Sequence, residues 1–192
     1  MPRKPRAFEA GAYYHVGSRG NNGEAIVRDD IDRMEFSRWY ARVANTERWG
    51  VLAYVLMDNH YHFVVRSDES GLSRGMQLLN CGFTRRINRR HGRDGHLFRQ
   101  RFYGGWIKDN EHLLETCRYV VLNPVRAGIC AHPADWPWSS YRATVGLEPA
   151  PSFLDVADLL RLFDPRPDVA RHAFRAFVAK GHVQVSDTVP EV

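Results

Sequence analysis

The chain has 192 residues, 44% of them hydrophobic, with 27 basic against 22 acidic side chains and a net charge of +5. That is enough for one compact domain with a sizeable core, or one domain plus a tail. No uncharged apolar stretch approaches the ~18 residues of a membrane span, and the N-terminal "MPRKPRAFEAGAYYHVGSRG" lacks the apolar run of a secretory leader. Cys81, Cys117 and Cys130 are widely spaced and odd in number. They fit reduced thiols in a cytoplasmic protein and give no C-x-x-C zinc pattern.

In chain order, "AYYHVGS" (12–18) reads as a first strand, followed by a Gly/Asn loop, "RGNNGE". Residues 30–48 place Phe36, Trp39, Tyr40 and Val43 on one helical arc. "VLAYVLM" (51–57) and "HYHFVVRS" (60–67) are rich in β-branched and aromatic residues, and only Asp58-Asn59 separates them, the length of a tight hairpin turn. Over 72–90, Leu72, Met76, Leu79, Phe83 and Ile87 recur at helical steps, with Arg74, Arg85 and Arg89 on the opposite side. "FYGGWI" (102–107) reads as a short fourth strand. A third helix starts at Asp109 or Asn110, both good caps, and is expected to stop near Leu122 because Pro124 disfavours α geometry in the residue before it. Two more helices are expected around 153–163 and 168–179, and the last dozen residues read as frayed.

The order β-α-β-β-α-β is that of the ferredoxin-like split βαβ fold, an α+β antiparallel sheet with helices on one face. An extra helix and a helical C-terminal part follow it.

The charge is distributed unevenly. Of the 27 basic residues 24 are arginine, whose planar fork matches phosphate geometry. Codon bias in a GC-rich genome would also enrich arginine, so placement matters more than number. Residues 72–101 carry eight arginines against one acid, Asp94, whereas 144–192 carry five basic and seven acidic residues. The local excess reads as a nucleic-acid patch, with Arg85, Arg86, Arg89, Arg90, Arg99 and Arg101 as candidates for a track that follows a DNA backbone. The alternative is a solvated helix face.

Side chains at i and i+2 of a strand share a face, so His60 and His62 project together. The pair alone fits either of two readings, two imidazoles gripping one divalent cation or two satisfied strand histidines. In the third helix Leu113, Cys117, Val120 and Val121 share the apolar arc, while Tyr119 lies roughly 160° round from Cys117. Asn123, four residues on, shares the face of Tyr119. A histidine pair, a tyrosine out of phase with the core arc and an arginine-rich helix together point to phosphodiester chemistry on a nucleic acid.

The blocks "YHVGSRGNN", "AYVLMDNHYHFVV", "LSRGMQ", "GHLFRQRF", "YVVLNPVRAGI" and "WPWSSY" stand in the order found in REP-associated tyrosine transposases, which resemble the single-tyrosine HUH transposases. The resemblance covers about residues 10–142. Asp58 stands where the family usually has proline, and Tyr61 where it has an aliphatic residue; both bear on the hairpin turn rather than on a ligand or nucleophile. The resemblance implies a transposase domain over 1–143, a helical extension over 144–192, and cleavage and rejoining of hairpin-bearing single-stranded DNA through a 5′-phosphotyrosine. In it Tyr119 matches the nucleophile, His60 and His62 the metal-binding pair, and Asn123 a further ligand. Mixed imidazole and amide ligation suits Mg²⁺ or Mn²⁺. Arg19 and Asn21, after the first strand, are expected to help read a guide sequence in a REP-like hairpin. Trp138, Ser139, Ser140, Tyr141 and His15 read as structural. The chain is expected to act as a cytoplasmic, nucleoid-associated monomer with no membrane partner. The alternatives are a DNA-binding protein of the same fold that no longer cleaves, and a zinc-dependent hydrolase built on His60 and His62, which needs a third strong ligand.

Overall fold

The computed structural model describes residues 9, 11–67 and 71–181, so the chain end read as frayed lies almost wholly outside them. The strands are β1 (Tyr13–Arg19), β2 (Gly50–Leu56), β3 (His60–Arg66) and β4 (Tyr103–Trp106). The helices are α1 (Asp30–Thr46), α2 (Gly71–His91), α3 (Asn110–Arg126), α4 (Tyr141–Thr144), α5 (Val156–Arg161) and α6 (Pro167–Lys180). The sheet order is β2-β3-β1-β4 with every neighbouring pair antiparallel, which is the ferredoxin-like arrangement expected from the element order.

Period-2 alternation sorts the sheet's side chains. Tyr14 and Val16 of β1 and Tyr61, Phe63 and Val65 of β3 turn to one face. There they pack with Phe36, Tyr40 and Val43 of α1 and with Leu72, Met76, Leu79, Phe83 and Ile87 of α2. The intervening residues of β3, His60, His62 and Val64, turn to the other face. That second face carries its own core: Leu52, Ala53, Val55 and Val64 pack against Leu113, Cys117, Val120 and Val121 of α3 and Leu159, Leu160, Phe174 and Val178 of the last two helices. The sheet is thus covered on both sides, by α1 and α2 on one and by α3 with the C-terminal helices on the other.

The β2–β3 hairpin is tight. The Met57 N–H donates to the His60 carbonyl at 2.8 Å. Asp58 at its tip is anchored rather than free, its carboxylate accepting from the Arg33 guanidinium at 2.6 Å and its carbonyl from the N–H of Ile26 at 2.7 Å. Tyr61 is fully buried, and its hydroxyl donates to Asn80 Oδ1 at 2.5 Å. Both departures from the family pattern are therefore absorbed locally.

Asp109 caps α3, accepting from the His112 N–H at 2.8 Å. The helix does not stop near Leu122; it runs to Arg126 with Pro124 inside it. Proline deletes one ladder bond and strains the residue before it, but Val120, Val121, Leu122, Asn123 and Pro124 are all buried, and this packing holds the last turn helical. The extension matters because it carries Asn123 onto the face of Tyr119.

The Trp138–Tyr141 block is structural, as expected. The Leu56 N–H donates to the Trp138 carbonyl, and the Ser140 N–H and Oγ bond the backbone of Tyr54, each at 2.9–3.0 Å. These contacts cover the outer edge of β2, which would otherwise be open to pairing.

Candidate active site

Four rings stand in a row across β4, β1 and β3. Tyr103 packs edge-on against His15 with centroids 5.5 Å apart, His15 tilts against His62 at 5.0 Å, and His62 meets His60 at 5.1 Å. The row forms because Gly17 sits opposite His62 in the β1–β3 register. A Cβ there would lie 2.6 Å from the Tyr61 carbonyl oxygen and 3.1 Å from His62 Nδ1. Tyr119 closes over the row from α3, with its ring edge-on to His62 at 5.6 Å and to His15 at 5.9 Å. One turn further along α3, Asn123 Oδ1 lies 3.0 Å from His60 Nε2. The fold therefore brings Tyr119, His60, His62 and Asn123 to one place, although 63 residues separate His60 from Asn123.

The electrostatics suit a cation site. Burial pushes the His62 imidazole well below its ordinary value, with His15, His60 and Arg19 adding to the effect. Burial lowers His60 too, helped by Arg19 and opposed by Asn123 and Asp58. His15 is pushed down to about 4, by burial and then by His112. At neutral pH all three are neutral imidazoles, the form that donates a lone pair to a metal. His60 Nδ1 lies 2.7 Å from Asn59 Oδ1, and Asn59 is fixed by its own Nδ2–H donating to the Gly23 carbonyl at 3.1 Å. His60 thus has an oxygen acceptor at each ring nitrogen, Asn59 Oδ1 at Nδ1 and Asn123 Oδ1 at Nε2, and a cation held by Nε2 and the Asn123 oxygen would leave the proton on Nδ1. Two imidazoles and a carboxamide oxygen fit a divalent cation that keeps further positions open. Among the described residues no group of three or more His, Cys, Asp or Glu side chains is placed to hold a metal, so a zinc-hydrolase site lacks its third strong ligand.

The arginines divide. Arg19 ends β1 opposite His60. The Arg99 N–H donates to the Arg19 carbonyl at 2.9 Å, and the Asn21 N–H to that of Leu97 at 2.9 Å. Arg19, Asn21 and Arg99 thus gather at the site's end of the sheet, with exposed Arg101 following in the chain. The five arginines of α2 lie beneath the opposite face, and three are engaged: Arg74 pairs with Glu47, Arg86 with Glu35, and Arg90 with Asp29 and Asp32. Arg85 and Arg89 are exposed. Sequence reasoning missed the Arg126 guanidinium, which lies 5.1 Å from the Tyr119 ring centroid. It also missed Asn59 as the orienting partner of His60, a residue read only as part of the turn.

Comparison with known proteins gives the family and the fold. A Haemophilus influenzae protein named as a REP-associated tyrosine transposase is 25% identical over 151 residues, covering 73% of this chain and 85% of that one. A solved structure of a REP-associated tyrosine transposase bound to a REP hairpin matches with a TM-score of 0.64 over 81% of this chain and 94% of that one, at 19% identity. Among the described residues no helix is long and apolar enough to cross a membrane. The family model for IS200-like transposases matches residues 9–123, a span that contains every position from His15 to Asn123, and the chain belongs to that family.

Proposed function

We propose that this transposase cleaves and rejoins hairpin-bearing single-stranded DNA through a 5′-phosphotyrosine at Tyr119, using a divalent metal, Mg²⁺ or Mn²⁺. The observation that carries the reading is the meeting of Tyr119 on α3 with the His60–His62 pair on β3. The hairpin target rests on the related structure bound to a REP hairpin. Transfer of that target to this chain is part of the proposal.

Tyr119 Oη attacks the scissile phosphorus, the P–O3′ bond breaks, and the departing 3′-oxygen takes up a proton while the phenol loses its own. Attack of a 3′-hydroxyl on the same phosphorus reverses these steps, so joining needs no ATP. The chain prepares this in three ways. The edges of His15 and His62 hold the Tyr119 ring in place, which sets the direction of attack. Arg126 stacks on the ring and favours negative charge on it. Arg19, beside both histidines, attracts the phosphate. His60, His62 and Asn123 would hold the metal, which polarises the phosphate and stabilises the charge that builds in the transition state.

The test incubates labelled hairpin single strands from sequence flanking the gene with the protein and Mg²⁺ or Mn²⁺, and looks for a covalent adduct on a denaturing gel. Wild type should form it, and both Tyr119→Phe and the His60→Ala/His62→Ala double variant should abolish it. Binding without any adduct, across several hairpins and both metals, would favour the silent DNA-binding alternative. An adduct that survives Tyr119→Phe would assign the chemistry to another residue.

A further inference from the structure

We propose that His15 is a positioning residue that sets the tautomer of His62, holding the proton on His62 Nδ1 so that Nε2 is free to bind the cation; this rests on the metal reading above. His15 Nε2 and His62 Nδ1 lie 3.0 Å apart, and both side chains are buried, at 4% and 1% exposure. Two neutral imidazoles share one proton across such a contact, and its polarity decides what His62 can do. If His15 donates, His62 carries its proton on Nε2 and has no lone pair there to offer. If His62 donates from Nδ1, its Nε2 becomes a ligand. A ligating histidine commonly has its other nitrogen fixed by an acceptor in this manner, and removing that acceptor typically costs 10- to 100-fold in metal affinity.

The surroundings fix the geometry of the contact. The His62 ring rests against the backbone at Gly17, where a Cβ would come within 3.1 Å of Nδ1. Tyr103 and Tyr119 stand edge-on to the His15 ring from β4 and α3, at 5.5 and 5.9 Å. His15 therefore faces His62 on a rigid strand. The arrangement repeats at His60, whose Nδ1 lies 2.7 Å from Asn59 Oδ1. Each histidine of the pair thus has its Nδ1 against one neighbour, leaving Nε2 for a cation. Asn59 Oδ1, the nearer of the two oxygens beside His60, accepts when the proton is on Nδ1; His15 supplies the same function at His62 through a nitrogen.

The test measures Mn²⁺ binding to the full chain without DNA, by calorimetry and by the loss of the free-ion paramagnetic resonance signal. Wild type is compared with His15→Phe, which keeps the ring but offers no acceptor, and His15→Gln, which restores one. His15→Phe should weaken Mn²⁺ binding 10- to 100-fold, and His15→Gln should recover much of the loss. Long-range ¹H–¹⁵N spectra of histidine-labelled, metal-free protein read the tautomer directly, with Nδ1–H expected at His62 in wild type and a shift toward Nε2–H in His15→Phe. This readout also holds the inference to account if His15→Phe lowers stability. Wild-type affinity in His15→Phe, or Nε2–H at His62 in wild type, overturns the inference while leaving the metal reading intact. Absence of Mn²⁺ binding by wild type overturns the metal reading and this inference with it.

Discussion

Arg90, in the last turn of α2, closes on the carboxylate of Asp32, a side chain in the first turn of α1 with no solvent exposure. His91 Nε2 lies 2.8 Å from the same carboxylate, and the Arg28 N–H donates to it at 2.9 Å. Asp32 is a buried acceptor for three donors, and it ties the end of one helix to the start of another. Breaking a buried charged network from one side is costly because the partners are left uncompensated. Asp32→Ala should lower unfolding stability by about 3 kcal/mol in denaturant titration. Arg90→Gln should lower the midpoint as well, with DNA affinity corrected for folded fraction nearly unchanged. A stable Arg90→Gln protein with a large loss of DNA binding would return Arg90 to the DNA surface.

Arg85 and Arg89 meet no acid among the described residues and face solvent. If α2 contributes to the track, Arg85→Ala/Arg89→Ala removes two phosphate contacts. The slope of log K against log salt should then flatten by about 1.4 on single strands, or about 1.8 on a duplex stem. Fluorescence anisotropy at four or five salt concentrations measures it. An unchanged slope would confine DNA contact to the other sheet face, where Arg19 and Arg99 stand.

The buried histidine predicts a dependence of stability on pH. His15 has its folded pKa depressed to about 4 from an ordinary 6.5, so between those values the unfolded chain binds a proton that the folded chain refuses. Stability from His15 is fully present above pH 6.5 and is lost as pH falls toward 4, a span worth on the order of 3 kcal/mol. His62, depressed by the same burial, acts in the same direction. Chemical denaturation at pH 7.5, 6, 5 and 4.5 should show a steady fall, and His15→Gln should flatten it. A wild-type profile level from 7.5 to 4.5 would show that these histidines are not buried neutral in solution.

What the sequence revealed and what it hid follow from the range of the interactions. The helical arcs of α1, α2 and α3, the Asp58-Asn59 turn and the shared face of His60 and His62 are all local patterns, readable at spacings of two to four residues. Tyr119 stood out for the same reason, being out of phase with Cys117 and Val120. The partners of those residues are not local. His15 meets His62 across 47 residues, and Arg90 meets Asp32 across 58. Both depend on strand register and helix packing, which no spacing in the chain encodes. The end of α3 was misread because the rule for a residue before proline is a backbone rule, and here burial of Asn123 and Pro124 overrode it.

Gly17 offers the sharpest test of the site's architecture. It is a strand residue whose missing side chain lets the His62 ring lie against β1, and an added methyl would stand 2.6 Å from a backbone carbonyl oxygen that cannot swing away. Gly17→Ala should therefore force the β1–β3 pair apart or push His62 out of the row, costing roughly 2 kcal/mol as overpacking does. Normally alanine in place of a strand glycine would stabilise, since glycine loses more backbone freedom on folding, so the sign of the change separates the two effects. Thermal unfolding gives that sign, and the histidine ¹H–¹⁵N spectrum shows whether His62 has moved. A Gly17→Ala protein that is more stable than wild type, with His62 signals unshifted, would mean the ring row tolerates the methyl and the close approach at Gly17 does not constrain the site.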